Sequence, residues 1–132
     1  MRPLLTIVDD CRELRHLIQL LAEEELGIGC LGVESLSELI SNRDEVLKSN
    51  AILVDINLGQ GEPDGVEVYH WIQQQGYEGQ VLFLTGHAKE SPQVQEASRT
   101  GIPVLEKPMR ADQLLDSIRG FFFPDFAKVG LS

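Results

Sequence analysis

Ala51 to Val54 runs four apolar residues without interruption into Asp55, and Ile56-Asn57 then leads into a glycine-bearing loop. A run of that length reads as a strand buried on both faces, with its last side chain delivered to a sheet edge. A carboxylate at the end of such a strand is costly to desolvate, which makes Asp55 the first residue marked for chemistry. The pattern recurs along the chain. Pro3 to Val8 ends in Asp9-Asp10, Gln80 to Thr85 ends in a hydroxyl before Gly86, and Ile102 to Leu105 runs through Glu106 into Lys107-Pro108.

Helical patterns lie between these runs. Arg12 to Glu25 carries Leu14, Leu17, Ile18 and Leu21 at helical spacing and stops at Gly27. Ile28 to Val33 predicts a weaker strand, after which Ser35 and Glu38 form a capping box for a helix striped by Leu36, Leu39, Ile40 and Leu47. Asp64, with Glu67 three residues on, caps a helix carrying Val66, Tyr69 and Ile72. Ser91-Pro92 opens a short polar helix with Val94 and Ala97 to bury, and a last helix with Leu114, Leu115 and Ile118 leads to Phe121-Phe122-Phe123. Strand and helix alternating five times predict an α/β fold: a doubly wound, five-stranded parallel sheet with helices on both faces. Sites on such sheets form beyond the carboxyl ends of the strands, which here are Asp9-Asp10, Asp55, Thr85 and Lys107.

The chain has 132 residues, the length of one domain and too short for an output module of any size beside it. Residues 1–123 are read as the folded domain and 124–132 as a tail, loosely ordered or a remnant of a longer chain. The formal charge is −10, and no run of Lys or Arg exceeds one residue, which argues against direct nucleic-acid binding. No apolar stretch approaches the ~18 residues of a membrane span, so a cytoplasmic protein is expected. Cys11 and Cys30 lack metal-ligand spacing and are read as reduced thiols.

Three carboxylates brought together repel one another, and a bound Mg²⁺ is the usual resolution, taking carboxylates and waters and bridging to phosphate oxygens. With a lysine, a hydroxyl and a carboxylate nucleophile beside it, the set is what phosphoryl transfer to an aspartate uses.

In order and spacing, Val8-Asp9-Asp10, the strand-end Asp55, the strand-end Thr85 and Lys107-Pro108 resemble the receiver domain of two-component response regulators. The resemblance covers Leu4 to about Phe122 and implies a flavodoxin-like (βα)5 sheet with strand order 2-1-3-4-5. It implies that Asp55 accepts a phosphoryl group from a phosphohistidine of a histidine kinase or histidine phosphotransfer protein. Asp10 would ligate Mg²⁺ directly and Asp9 through water, with Asp55 and the backbone carbonyl of Asn57 completing the protein's share. Thr85 would hydrogen-bond a phosphoryl oxygen, Lys107 would pair with it, and the Lys107-Pro108 bond would be cis. Such a domain catalyses its own phosphorylation and slow dephosphorylation, is no dedicated metabolic enzyme, signals to a downstream protein target and leaves room for dimerisation.

The chain departs from the family pattern in three places. The loop from Asp55 to Gly65 is long and has Gly59 where proline is more usual; Val104 stands where a Tyr or Phe commonly reports phosphorylation; Cys11 replaces a frequent acid. Val104 offers no ring to swing inward behind Thr85, so switching is expected to act through the loop after Asp55 and the polar helix after Ser91. His87, two residues past Thr85, is read either as a rim residue that modulates phosphoryl lifetime or as an ordinary loop residue, and His16 and His70 as surface or packing residues. Phe121, Phe122, Phe123 and Phe126 make either an interface or a staple folded back on the domain. Two other classes share parts of the set. A haloacid-dehalogenase type hydrolase would want an acid two residues after its nucleophile, where this chain has Asn57, and an unphosphorylated interaction module would not need the full set.

Overall fold

The computed structural model describes residues 3–86, 90–107 and 110–122. Its elements in chain order are β1 (Leu4–Val8), α1 (Arg12–Leu20), β2 (Gly29–Val33), α2 (Leu36–Ser41), α3 (Arg43–Leu47), β3 (Ala51–Asp55), α4 (Gly65–Gln74), β4 (Gln80–Thr85), α5 (Pro92–Ser98), β5 (Val104–Glu106) and α6 (Ala111–Phe122). The strands form one sheet in the order β2-β1-β3-β4-β5, all pairs parallel.

Alternation along the strands divides the core in two. Leu5, Ile7, Ala51, Leu53, Leu82 and Leu84 point to one face, where Ile18 of α1 and Leu114 and Ile118 of α6 cover them. Val8, Ile52, Val54, Val81 and Phe83 point to the other, under Leu39 of α2, Val46 of α3, Val66, Val68 and Ile72 of α4, and Val94 and Ala97 of α5. Every residue of β3 is buried, as its unbroken apolar run requires. Phe122, the last residue of α6, is partly buried against the face that α1 and α6 cover. Phe123, Phe126 and the tail 124–132 lie outside the described residues, as do His87 and Pro108.

The expected N-caps are present, but the Ser35 capping box is half made, with no Glu38 side-chain bond to the Ser35 N–H among the described residues. The Ser35 hydroxyl accepts from the Glu38 N–H at 3.2 Å, the Asp64 carboxylate from the Glu67 N–H at 3.0 Å, and the Ser91 hydroxyl from the Val94 N–H at 3.3 Å. Three expectations are corrected. The helical stretch after Arg12 is not one α-helix to Glu25, since Leu21–Glu25 continues α1 as a π-helical turn. The helix opened by Ser35 breaks at Asn42, whose side-chain amide donates to the Glu38 carbonyl at 2.8 Å. Within the six residues of α2 only Leu39 is fully buried, and Ile40, expected in the apolar stripe, is 44% exposed. The fifth strand, expected from Ile102 to Leu105, spans Val104–Glu106 and is only three residues long.

Thr6, midway along β1 and wholly buried, has a hydroxyl with no hydrogen-bond partner among the described residues. An unpaired buried hydroxyl costs stability wherever it occurs.

Candidate functional site

The parallel topology brings the carboxyl ends of β1, β3, β4 and β5 to one edge, and the polar residues ending those runs meet there. Asp9, Asp10 and Asp55 each offer a carboxylate oxygen, and these oxygens all lie within 4.8 Å of one another. Asp9 and Asp55 are buried, at 0% and 4% exposure, and Asp10 faces solvent. Lys107 arrives from the end of β5, and its ammonium donates to Asp9 Oδ2 at 2.7 Å and to Asp55 Oδ2 at 3.2 Å. The Lys107 amide donates to the Thr85 carbonyl at 2.6 Å, which ties the ends of β4 and β5 together. Thr85 is 1% exposed.

Asp9 is bound at every polar atom. Its N–H donates to the Val33 carbonyl at 3.0 Å, its carbonyl accepts from Arg15 Nη1 at 2.7 Å, and Oδ1 accepts from the Cys11 N–H at 2.8 Å while Lys107 takes Oδ2. Asp55 is held more loosely: Oδ1 accepts from the Asn57 N–H at 3.3 Å. The exposed Asn57 turns its side-chain oxygen to the Gly59 N–H at 3.0 Å. Gly59 has φ +113°, a backbone closed to proline, so the long loop is shaped for the residue it carries.

Burial, and after it the charge of Asp9, pushes the Asp55 carboxyl up from 3.8 to about 6, with Lys107 pulling against both. Burial works to lower Lys107, but its bond to Asp9 and the charges of Asp55 and Asp9 outweigh it, so the ammonium lies above the usual lysine range. Two buried acids therefore share one cation, and the pocket keeps an excess of negative charge. Its donors are hard anionic oxygens, with no thiol or imidazole in the cluster among the described residues, and one acid opens to solvent. That set suits Mg²⁺.

Two contributors were not marked in the sequence. Gly65, taken there for the end of a loop, is the first residue of α4; its N–H donates to the Ile56 carbonyl at 2.7 Å. A Cβ at position 65 would stand 2.6 Å from the Asp55 carbonyl oxygen and 2.7 Å from Ile56 Cα, so α4 starts directly against the end of β3 because this residue has no side chain. A glycine in the first helical turn, where better helix formers are available, is the signal that would have shown it. Arg15 is the second, standing beside the apolar stripe of α1 and reaching back six residues. His16 and His70 are exposed on their helices, and Cys11 and Cys30 are free thiols. Val104 packs against the core beneath α5, and with Thr85 and Val94 it lines a groove of about 370 Å³.

A family described as the response regulator receiver domain matches residues 5–119. Among solved structures, a signal receiver domain from Vibrio parahaemolyticus superposes with a TM-score of 0.76 at 26% identity, over 98% of this chain and 95% of that one. The receiver domain of NtrX from Brucella abortus gives a TM-score of 0.72 at 24% identity, over 90% and 98%. The chemotaxis protein CheY4 of Vibrio cholerae gives 0.75 at 20% identity, over 92% and 99%. No curated protein sequence matches the chain.

Proposed function

This chain belongs to the response regulator receiver domain family, and on that premise we propose that Asp55 accepts a phosphoryl group from a phosphohistidine of a histidine kinase or histidine phosphotransfer protein. The phosphorylated domain, cytoplasmic and spanning residues 1–123, then signals through altered contacts with a downstream protein. The observation that carries this reading is one ammonium, Lys107, shared between a fully bonded Asp9 and a more loosely held Asp55 whose pKa is raised to about 6. Such a carboxylate is mostly ionised at neutral pH yet more basic than an ordinary aspartate, which suits a nucleophile.

In the transfer, an Asp55 oxygen forms a bond to phosphorus as the P–N bond of the phosphohistidine breaks. The electron pair of that bond stays on the imidazole nitrogen, which takes up a proton. Negative charge moves from Asp55 onto the phosphoryl oxygens, and Lys107, kept in place by Asp9, lies within reach of both positions. Thr85, at the neighbouring strand end, is assigned the hydrogen bond to a phosphoryl oxygen. Asp10, Asp55 and the Asn57 carbonyl are assigned to hold Mg²⁺, with Asp9 acting through water; when bound, the ion neutralises charge on the carboxylates and the phosphoryl group. Slow hydrolysis of the acyl phosphate by water returns Asp55 to its carboxylate.

Intact mass after incubation with a small phosphodonor and Mg²⁺ tests the proposal. One added phosphate, labile to base and absent in Asp55→Asn, is the expected result. Steady turnover of sugar phosphates with no phosphoprotein would replace it with a hydrolase.

A further inference from the structure

We propose that Arg15 is a positioning residue of the acid pocket, fixing the peptide between Asp9 and Asp10 so that both carboxylates face a divalent cation. The inference deepens the phosphoacceptor reading and rests on it for its biological use. Three residues, 9 to 11, connect β1 to α1, and two of them are acids. The carbonyl of Asp9 belongs to the peptide that leads into Asp10, so its direction helps set where the Asp10 side chain leaves the backbone. Arg15 Nη1 donates to that carbonyl at 2.7 Å from the second turn of α1. Asp10 is exposed and makes no side-chain hydrogen bond among the described residues, so the orientation of its backbone matters the more. A hydrogen bond from a charged donor is among the stronger ones available to hold it.

The route of the arginine is built into β2. Gly32 lacks a side chain where the arm passes: a Cβ there would lie 3.5 Å from Arg15 Cδ and 3.4 Å from Gln19 Nε2, so an alanine just fits and anything larger displaces the arm. The guanidinium is a flat fork with fixed donor directions, whereas a lysine ammonium at this position is a compact charge that does not reproduce that geometry.

Charge alone gives no reason for this arrangement. A cation beside the pocket repels an incoming Mg²⁺, so on Coulombic grounds removing Arg15 tightens metal binding. A positioning role predicts the opposite sign. The two accounts are therefore separated by the direction of one measurement.

That measurement is calorimetric titration of the full chain with Mg²⁺ alone, on wild type, Arg15→Gln, Arg15→Lys and the charge control Arg12→Gln, whose exposed arginine is on the same helix. Both Arg15 variants should bind Mg²⁺ more weakly by on the order of tenfold, as for residues that orient metal ligands, while Arg12→Gln holds or slightly gains affinity. In EDTA, the Cys11 amide, bonded to Asp9 Oδ1 in the same turn, should exchange faster in both Arg15 variants. Tighter binding in Arg15→Gln with no change in Arg15→Lys would make the arginine a mere charge and overturn the proposal. Unchanged affinity with only a lower urea midpoint would make it a packing residue and overturn it too, as would a wild type that binds no Mg²⁺ at millimolar concentration. A wild type that binds Mg²⁺, loses it in the Arg15 variants and yet takes no phosphate on Asp55 would sink the phosphoacceptor reading and leave the positioning role standing.

Discussion

Replacing Asp55 with asparagine should make the metal-free protein more stable at neutral pH. The folded carboxyl has a pKa of about 6 against 3.8 for a free aspartate, so the folded state holds the proton more tightly than the unfolded chain. Below pH 3.8 both states are protonated and the carboxyl adds no penalty. Between 3.8 and about 6 the unfolded chain ionises first and stability falls; above 6 the loss is complete. Each pH unit in that interval corresponds to about 1.4 kcal/mol, which gives a penalty of about 3 kcal/mol at pH 7.5. Asparagine keeps the shape and drops the charge, but its amide has a single oxygen. Lys107 at 3.2 Å and the Asn57 N–H at 3.3 Å both donate to Asp55 now, and one of them loses its acceptor. That offsets about 1 kcal/mol, leaving a net gain of roughly 2 kcal/mol. Urea unfolding in EDTA at pH 7.5 and pH 4 measures it, with the slope m checked for constancy. The midpoint of Asp55→Asn should lie above wild type at pH 7.5 and fall slightly below it at pH 4, where the small remaining penalty no longer outweighs the lost hydrogen bond. A variant no more stable at pH 7.5, or a difference that does not change with pH, would refute the claim that burial and Asp9 strain this carboxylate.

Gly65→Ala should destabilise the protein by about 2 kcal/mol in the same assay despite alanine's better helix propensity, because the new methyl meets the Asp55 carbonyl and α4 must shift; it should also slow phosphate uptake from a small phosphodonor. Thr6→Val removes a buried hydroxyl without a partner among the described residues and should raise stability by about 1 kcal/mol. Amide shifts on phosphorylation should concentrate in the loop after Asp55 and in α5, since Val104 supplies no ring; changes centred on Val104 and Leu105 that spare α5 would contradict this.

The site was legible because a parallel sheet carries the ends of its strands to one edge, so Asp9, Asp10, Asp55, Thr85 and Lys107 could be assembled by listing where each apolar run stops. The caps at Ser35, Asp64 and Ser91 were legible too, being contacts over three residues that a local pattern encodes. The exposure of Ile40 was not: α2 is only six residues long and buries Leu39 alone, and the turn at Asn42, bonded back to Glu38, resets the helical phase for the residues after it. Nor did the sequence tell which of Asp9 and Asp10 is buried, since that depends on partners as far off as Val33 and Lys107. Arg15 escaped for the same reason: a side chain donating to a backbone carbonyl leaves no complementary residue to look for.

The bond between Lys107 and Asp9 spans 98 residues of chain. During synthesis β1 to β4 leave the ribosome before position 107 does, and at roughly 5 to 20 residues per second the gap after Thr85 lasts a second or more. Over that interval the nascent sheet already has two carboxylates to bury and no ammonium from β5 to set between them. Removing one partner of such a pair costs about 3 to 5 kcal/mol, so a chain truncated before Lys107 should stay open at this edge. Metal-free chains cut just before and just after Lys107 should thus bracket the length at which this edge closes.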